Sequence, residues 1–172
     1  DLNLIKIRNK FIIIYRNIHK KEDLKQLIKF RLKCKQKGIK FFIANDIKLS
    51  MRIKADGLYL SAFNKSFMAK YKCFGKLDLI GSAHNHKEIL YKKKQGCTKI
   101  VLSRLFQTDY KNKTDFMGVI KFNITKKLSS IELIPLGGIR INNLNRLKIV
   151  NSGALAILSE LKKKPAITSR LF

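Results

Sequence analysis

The residues best suited to chemistry are two adjacent glycines, Gly137-Gly138, which close the apolar run Ile131 to Leu136. A helix-like segment over 142–151 follows, then a second apolar run, Gly153 to Leu158, that ends at Ser159. Glycines at such a turn let backbone N–H groups approach an anion with no Cβ in the way, and a serine across from them adds a hydroxyl donor. The chemistry this predicts is phosphate binding, with an ordinary turn as the competing explanation of the two glycines.

Other polar residues fall where apolar runs end: Arg16, Asn45-Asp46, Ser61 to Asn64, Ser82 to Asn85, and a long polar stretch from Ser103 to Gly118 that holds Thr108, Lys111 and Lys113. Arginine, lysine and hydroxyl side chains dominate this set and acids are few, which suits a phosphorylated or pyrophosphorylated small molecule. Asp46 could hold Mg²⁺ through one carboxylate, the phosphates supplying the other oxygens. Its alternative role is N-cap of a helix over Ile47 to Lys54, and Asn45 carries the same ambiguity. His84 is a candidate general acid or base, or else a structural hydrogen-bonder. No Ser/His/Asp or Cys/His pairing and no cluster with metal-ligand spacing appears.

These residues need a scaffold that brings strand ends together. Seven apolar runs recur, each bounded by glycine or a polar turn: Phe11 to Tyr15, Ile39 to Ala44, Gly57 to Leu60, Leu77 to Ala83, Thr98 to Leu102, Ile131 to Leu136 and Ala154 to Leu158. Near-continuous apolar strands suit a parallel sheet buried on both faces. Helical spacing lies between them: Glu22 to Lys37 closed by Gly38, His86 to Gln95 closed by Gly96, and 142–151. Strands alternating with helices predict either a (β/α)8 barrel lacking or trimmed at its first strand or a doubly wound open sheet. No glycine fingerprint follows the first strand, which favours the barrel. Its functional residues belong at the strand C-termini, with a phosphate cradle after the last two strands.

At 172 residues and 45% hydrophobic content the whole chain, 1–172, is expected to form one domain. Lys plus Arg number 38 against 11 acids, a formal charge of +27. The basic residues are spread along the chain, mostly on expected helix faces such as 20–37 and Lys92 to Lys94, in the joint Lys, Ile, Asn and Phe bias of an AT-rich coding sequence. Salt-weakened affinity for polyanions is expected, and specific nucleic-acid recognition is not. Three cysteines without metal-like spacing, no apolar leader and no run of membrane-spanning length predict a reduced, cytoplasmic protein with no membrane partner. The chain starts at Asp1, so a trimmed first element is expected.

From Phe11 to about Ser159 the chain resembles the thiamine phosphate synthase and TenI family. The resemblance rests on five segments in order: Phe42 to Asp46, Ala55 to Leu60, Ile80 to Asn85, Phe106 to Lys111, and Gly137-Gly138-Ile139 with Gly153-Ala154. It implies a (β/α)8 barrel, either monomeric or a homodimer. Synthases of the family use Mg²⁺ to couple hydroxymethylpyrimidine pyrophosphate to thiazole phosphate with release of pyrophosphate; TenI proteins isomerise the thiazole phosphate. The resemblance implies that Arg16, Ser82, Thr108 and Lys111 contact pyrophosphate and substrate, that Asn45 contacts substrate, and that Asp46 binds Mg²⁺. It also gives Gly137, Gly138 and Ser159 to the thiazole phosphate. The chain departs from the family pattern where Ile14 and Ile18 replace a glutamine and a lysine, where Ala62 and Asn64 replace a glutamine and the second Mg²⁺ aspartate, and where Arg104 stands in place of a TenI histidine. The expected protein is a thiamine-biosynthesis enzyme with a weakened Mg²⁺ half. A TenI-like tautomerase and a non-catalytic phosphate binder are the alternatives.

Overall fold

The segments richest in β-branched and aromatic residues form six strands in a computed structural model that describes residues 2, 5, 7–16, 23–72, 75–109 and 115–158. They are β1 (Ile12–Tyr15), β2 (Lys40–Ala44), β3 (Gly57–Leu60), β4 (Asp78–Ala83), β5 (Lys99–Ser103) and β6 (Glu132–Leu136). Every neighbouring pair is parallel, and the strands lie side by side in chain order. All six C-termini therefore share one rim.

Alternation along each strand divides its side chains between two cores. Phe42, Tyr59, Ile80, Val101 and Ile134 meet in one cluster, joined by Ile14, Ala44, Leu136 and Ala156. Contact among one face of all six strands requires the sheet to curl around that cluster, as in part of a barrel. The other face, including Phe41, Ile43, Leu58, Leu60, Ile100, Leu102 and Leu133, packs under the helices. Burial on both faces is why the strands read as unbroken apolar runs.

The helices are α1 (Leu24–Gln36), α2 (Ile47–Arg52), α3 (Met68–Lys72), α4 (His86–Lys94) and α5 (Gly118–Leu128). Three carry side-chain N-caps: Asp23 accepts from the N–H groups of Lys25 and Gln26, Asp46 from Leu49, and Asn85 from Glu88. Each satisfies N–H groups that the first helical turn leaves without partners. Neither α3 nor α5 stands out in the sequence.

Two expectations need correction, the last strand and Lys92. The seventh strand, Ala154 to Leu158, is reduced to one parallel bridge between Leu136 and Ala156. Ser152 bends the chain there, its hydroxyl shared between the carbonyls of Leu133 and Ala154. The described residues thus form a curled six-stranded half-barrel with that bridge at its edge, short of a closed eightfold barrel. The helix-like segment after Gly138 is a helix of the 3-10 type, Ile141–Ile149. Asn143 turns its amide back on the backbone, donating to Gly138 O (2.7 Å) and accepting from Arg140 N–H (2.8 Å), the competition that makes asparagine a poor helix interior residue. Lys92, expected on a solvated helix face, is fully buried.

Candidate active site

The C-terminal rim of the sheet gathers Arg16 after β1, Asn45-Asp46 after β2, Ser61 to Asn64 after β3, Ser82 and His84 at the end of β4, Ser103-Arg104 at the end of β5, and Gly137-Gly138 after β6. Residues scattered over about 120 positions thus share one edge because parallel strands in sequential order put all their ends together. Lys111, Lys113 and Ser159 lie outside the described residues.

One half of the rim is built around Gly137 and Gly138, whose φ angles are +102° and +65°. A Cβ on Gly138 would stand 2.3 Å from Gln107 O and 2.6 Å from both C and O of Phe106. The β5 loop therefore lies directly on the glycine, and only glycine fits. Phe106 N–H donates to Gly137 O (3.0 Å), so both glycine carbonyls, with Gly138 O held by Asn143, are occupied by protein donors. Across the same junction Arg140 forms an ion pair with Asp109, and the Arg146 guanidinium lies 5.2 Å from the Phe106 ring centroid. Thr108 sits inside this clamped loop. Its Oγ1 is buried without a hydrogen-bond partner among the described residues. A buried hydroxyl left unpaired costs roughly 1–3 kcal/mol, so this position calls for a hydrogen-bond acceptor.

The other half centres on Asn45, held at φ +61°. Its Oδ1 accepts from Ser61 N–H (2.9 Å) and from Asn64 Nδ2 (3.1 Å), fastening the loop after β3 to the end of β2. Asn64 Oδ1 in turn accepts from Ser66 N–H (2.9 Å). Asp46 caps α2 through Oδ1, as its structural reading required, while its carboxylate stays exposed. Its second oxygen suits a hard cation, whereas the amide oxygens of Asn45 and Asn64 are already engaged. Among the described residues no three His, Cys, Asp or Glu side chains gather to hold a metal without help from substrate oxygens.

Between the halves, Ser82 is half-buried on the barrel-interior face two residues beyond Ile80. His84 is exposed, and Glu88 Oε2 ties it down twice, accepting its backbone N–H (2.7 Å) and lying 3.0 Å from Nδ1. These contacts anchor His84 to the start of α4. Arg16 is exposed at the β1 edge.

Behind the loop after β3, α4 supplies a buried polar group that sequence reasoning missed. Lys92 and Gln95 have no exposed surface. Lys92 Nζ donates to Asn64 O and to Gln95 Oε1, each at 2.8 Å. Burial pushes the Lys92 amine down to about 8, and pushes the neighbouring Cys97 thiol up to about 11. The available signal was Gly81 within β4, since a strand glycine often marks a close approach. A Cβ there would stand 2.9 Å from Cγ and Cδ of Lys92.

The thiamine monophosphate synthase family matches residues 2–161. The chain belongs to this family. Among its relatives, thiamine-phosphate synthase of Clostridium perfringens strain 13 is 28% identical over 153 residues, which are 87% of this chain and 74% of that protein. The enzyme of the same name from Prochlorococcus marinus subsp. pastoris is 30% identical over 142 residues, covering 82% of this chain but 40% of its own length. The solved thiamine phosphate pyrophosphorylase of Pyrococcus furiosus superposes with a TM-score of 0.69 at 16% identity, covering 94% of this chain and 84% of its own. That last likeness establishes the fold. No helix among the described residues is long and apolar enough to cross a membrane.

Proposed function

We propose that this chain is a thiamine phosphate synthase, coupling hydroxymethylpyrimidine pyrophosphate to thiazole phosphate in a (β/α)8-type barrel formed by one domain. Family membership supports the reaction class. The observation that carries the site is the buried Thr108 hydroxyl, without a partner among the described residues, in a loop pressed onto Gly138. Gly137, Gly138 and Ser159 seat the thiazole phosphate. Arg16, Ser82, Thr108 and Lys111 bind the pyrophosphate, and Asn45 shapes the substrate wall beside it.

Asp46 would hold Mg²⁺, which when bound neutralises charge on the departing pyrophosphate. The chain's own part is electrostatic and positional. Arg16 and Lys111 stabilise the negative charge that grows as the carbon–oxygen bond to pyrophosphate breaks, and the curled sheet keeps water from the cationic pyrimidine carbon. Calorimetric titration with thiazole phosphate tests the cradle: saturable heat is expected, and none at millimolar ligand with folded protein refutes it.

One observation favours a second reading, a phosphate binder that has lost the coupling step. Asn64 stands where the family pattern has a carboxylate, and its amide is spent on Asn45 and Ser66. Turnover with both substrates separates the readings, since a binder titrates with thiazole phosphate yet forms no thiamine phosphate.

A further inference from the structure

Three consecutive carbonyls of the loop after β3 are each taken by a side chain of the α4 segment. Lys92 Nζ (2.8 Å) and Gln95 Nε2 (3.1 Å) donate to Asn64 O, Tyr91 Oη donates to Lys65 O (2.8 Å), and Gln95 Nε2 also donates to Ser66 O (2.7 Å). Packing reinforces the seam: the Phe67 and Tyr91 rings lie 5.3 Å apart, and Lys65 Nζ sits 4.8 Å from the Tyr91 ring centroid. Surface loops ordinarily leave such carbonyls to water. Here a lysine and a glutamine with no exposed surface are committed to them, and β4 carries Gly81 where any Cβ would collide with the lysine stem. On its far side the same loop grips the rim, through Asn64 Nδ2 and Ser61 N–H on Asn45 Oδ1, next to Asp46.

We propose that Lys92 and Gln95 are positioning residues that clamp the Ser61–Phe67 loop from behind, and so fix the Asn45–Asp46 corner against which the pyrimidine pyrophosphate binds. This rests on the synthase reading above. A buried amide–ammonium pair is a costly way to hold a loop unless the loop's position matters, because an ammonium must leave water to make the contact. Where the second carboxylate of the family pattern is replaced by Asn64, the loop contributes shape instead of charge, and shape depends on rigidity. The clamp lies on the β2–β4 side of the rim, and its hydrogen bonds run to the loop after β3 and not to Gly137 or Gly138, so its effects should be confined to one substrate.

The test uses the full chain with Lys92→Met, which keeps the stem and removes the donors, and Gln95→Met as a second variant in case the first folds poorly. Ile89→Val, a buried change on the same helix, serves as the destabilised control. Hydrogen exchange at the loop amides of residues 61–67 should quicken about tenfold in both clamp variants, the loss of one buried hydrogen bond, and stay at the wild-type rate in the control. The KM for pyrimidine pyrophosphate should rise about tenfold while the KM for thiazole phosphate is unchanged. Wild-type loop exchange in both clamp variants, or an equal rise in both KM values, overturns the proposal. If the wild-type chain couples no substrates, the synthase reading fails and the exchange measurement alone decides whether the clamp exists.

Discussion

Replacing Gly138 with alanine separates two costs that usually arrive together. Its φ of +65° places an alanine in the left-handed region, which costs about 1–2 kcal/mol. The added methyl would also lie 2.3 Å from Gln107 O and 2.6 Å from the Phe106 carbonyl, backbone atoms that cannot rotate away. Forcing the β5 loop outward adds roughly 1–3 kcal/mol of overpacking strain. Gly118 is the matched control, with φ +74° and nothing within 4 Å of its would-be Cβ, so Gly118→Ala incurs the conformational cost alone. Gly138→Ala should therefore be less stable than Gly118→Ala by about 2 kcal/mol, or about 4–8 °C in Tm for a chain of this size. Differential scanning calorimetry of the pair reads the difference. Displacing the loop also distorts the Gly137–Gly138 turn proposed to seat the thiazole phosphate, so Gly138→Ala should lose thiazole phosphate binding while Gly118→Ala keeps it. Equal melting temperatures and equal binding in the two variants would refute the packing argument at the cradle.

Asp46→Asn preserves the helix cap and removes the charge, whereas Asp46→Ala removes both. Chemical denaturation should show a loss of about 1 kcal/mol in the alanine variant alone, and coupling should fall in both if the carboxylate holds Mg²⁺. Asn64→Asp turns a carboxylate oxygen toward Asn45 Oδ1, which cannot turn over because it also accepts Ser61 N–H. This variant should lose about 1–2 kcal/mol without metal and recover it when Mg²⁺ is added; thermal shifts that are identical with and without Mg²⁺ would contradict this. Lys92 has a folded pKa of about 8, below its unfolded value, so the folded chain holds fewer protons and its burial penalty, complete below pH 8, lifts as pH rises toward 10.5. Wild type should gain on the order of 2 kcal/mol relative to Lys92→Met between pH 7 and 10.5, and a pH-independent difference in denaturant midpoints would show that Lys92 is not buried as a cation.

Strand positions were legible because burial on both sheet faces leaves an apolar run with no helical period, and β3 begins at Gly57 and ends at Leu60 as its sequence suggests. Of the two roles the sequence left open for Asp46, the cap is the one seen, since an aspartate before an apolar helix has a local partner three residues on. Interactions that span distant segments were not legible. Nothing in a lysine-rich helix distinguishes Lys92, fully buried, from the exposed Lys93 and Lys94. Asp109 and Arg140 are likewise paired only because the loop after β5 folds onto the turn after β6. The last apolar run forms a single bridge to β6 among the described residues, beside the Ser152 hydroxyl, which reaches the carbonyls of Leu133 and Ala154.

The rim holds the Gly137–Gly138 turn after β6, Asp46 capping α2 after β2 and an exposed Arg16 after β1, and the central claim is that these act together on two substrates. Incubation of the full chain with hydroxymethylpyrimidine pyrophosphate, thiazole phosphate and Mg²⁺ tests it most directly, with thiamine phosphate and pyrophosphate both quantified. Equimolar formation of the two products, abolished by chelating the metal and by Gly138→Ala, is the predicted result. Thiazole phosphate that binds but is never converted, at any Mg²⁺ concentration, would contradict it.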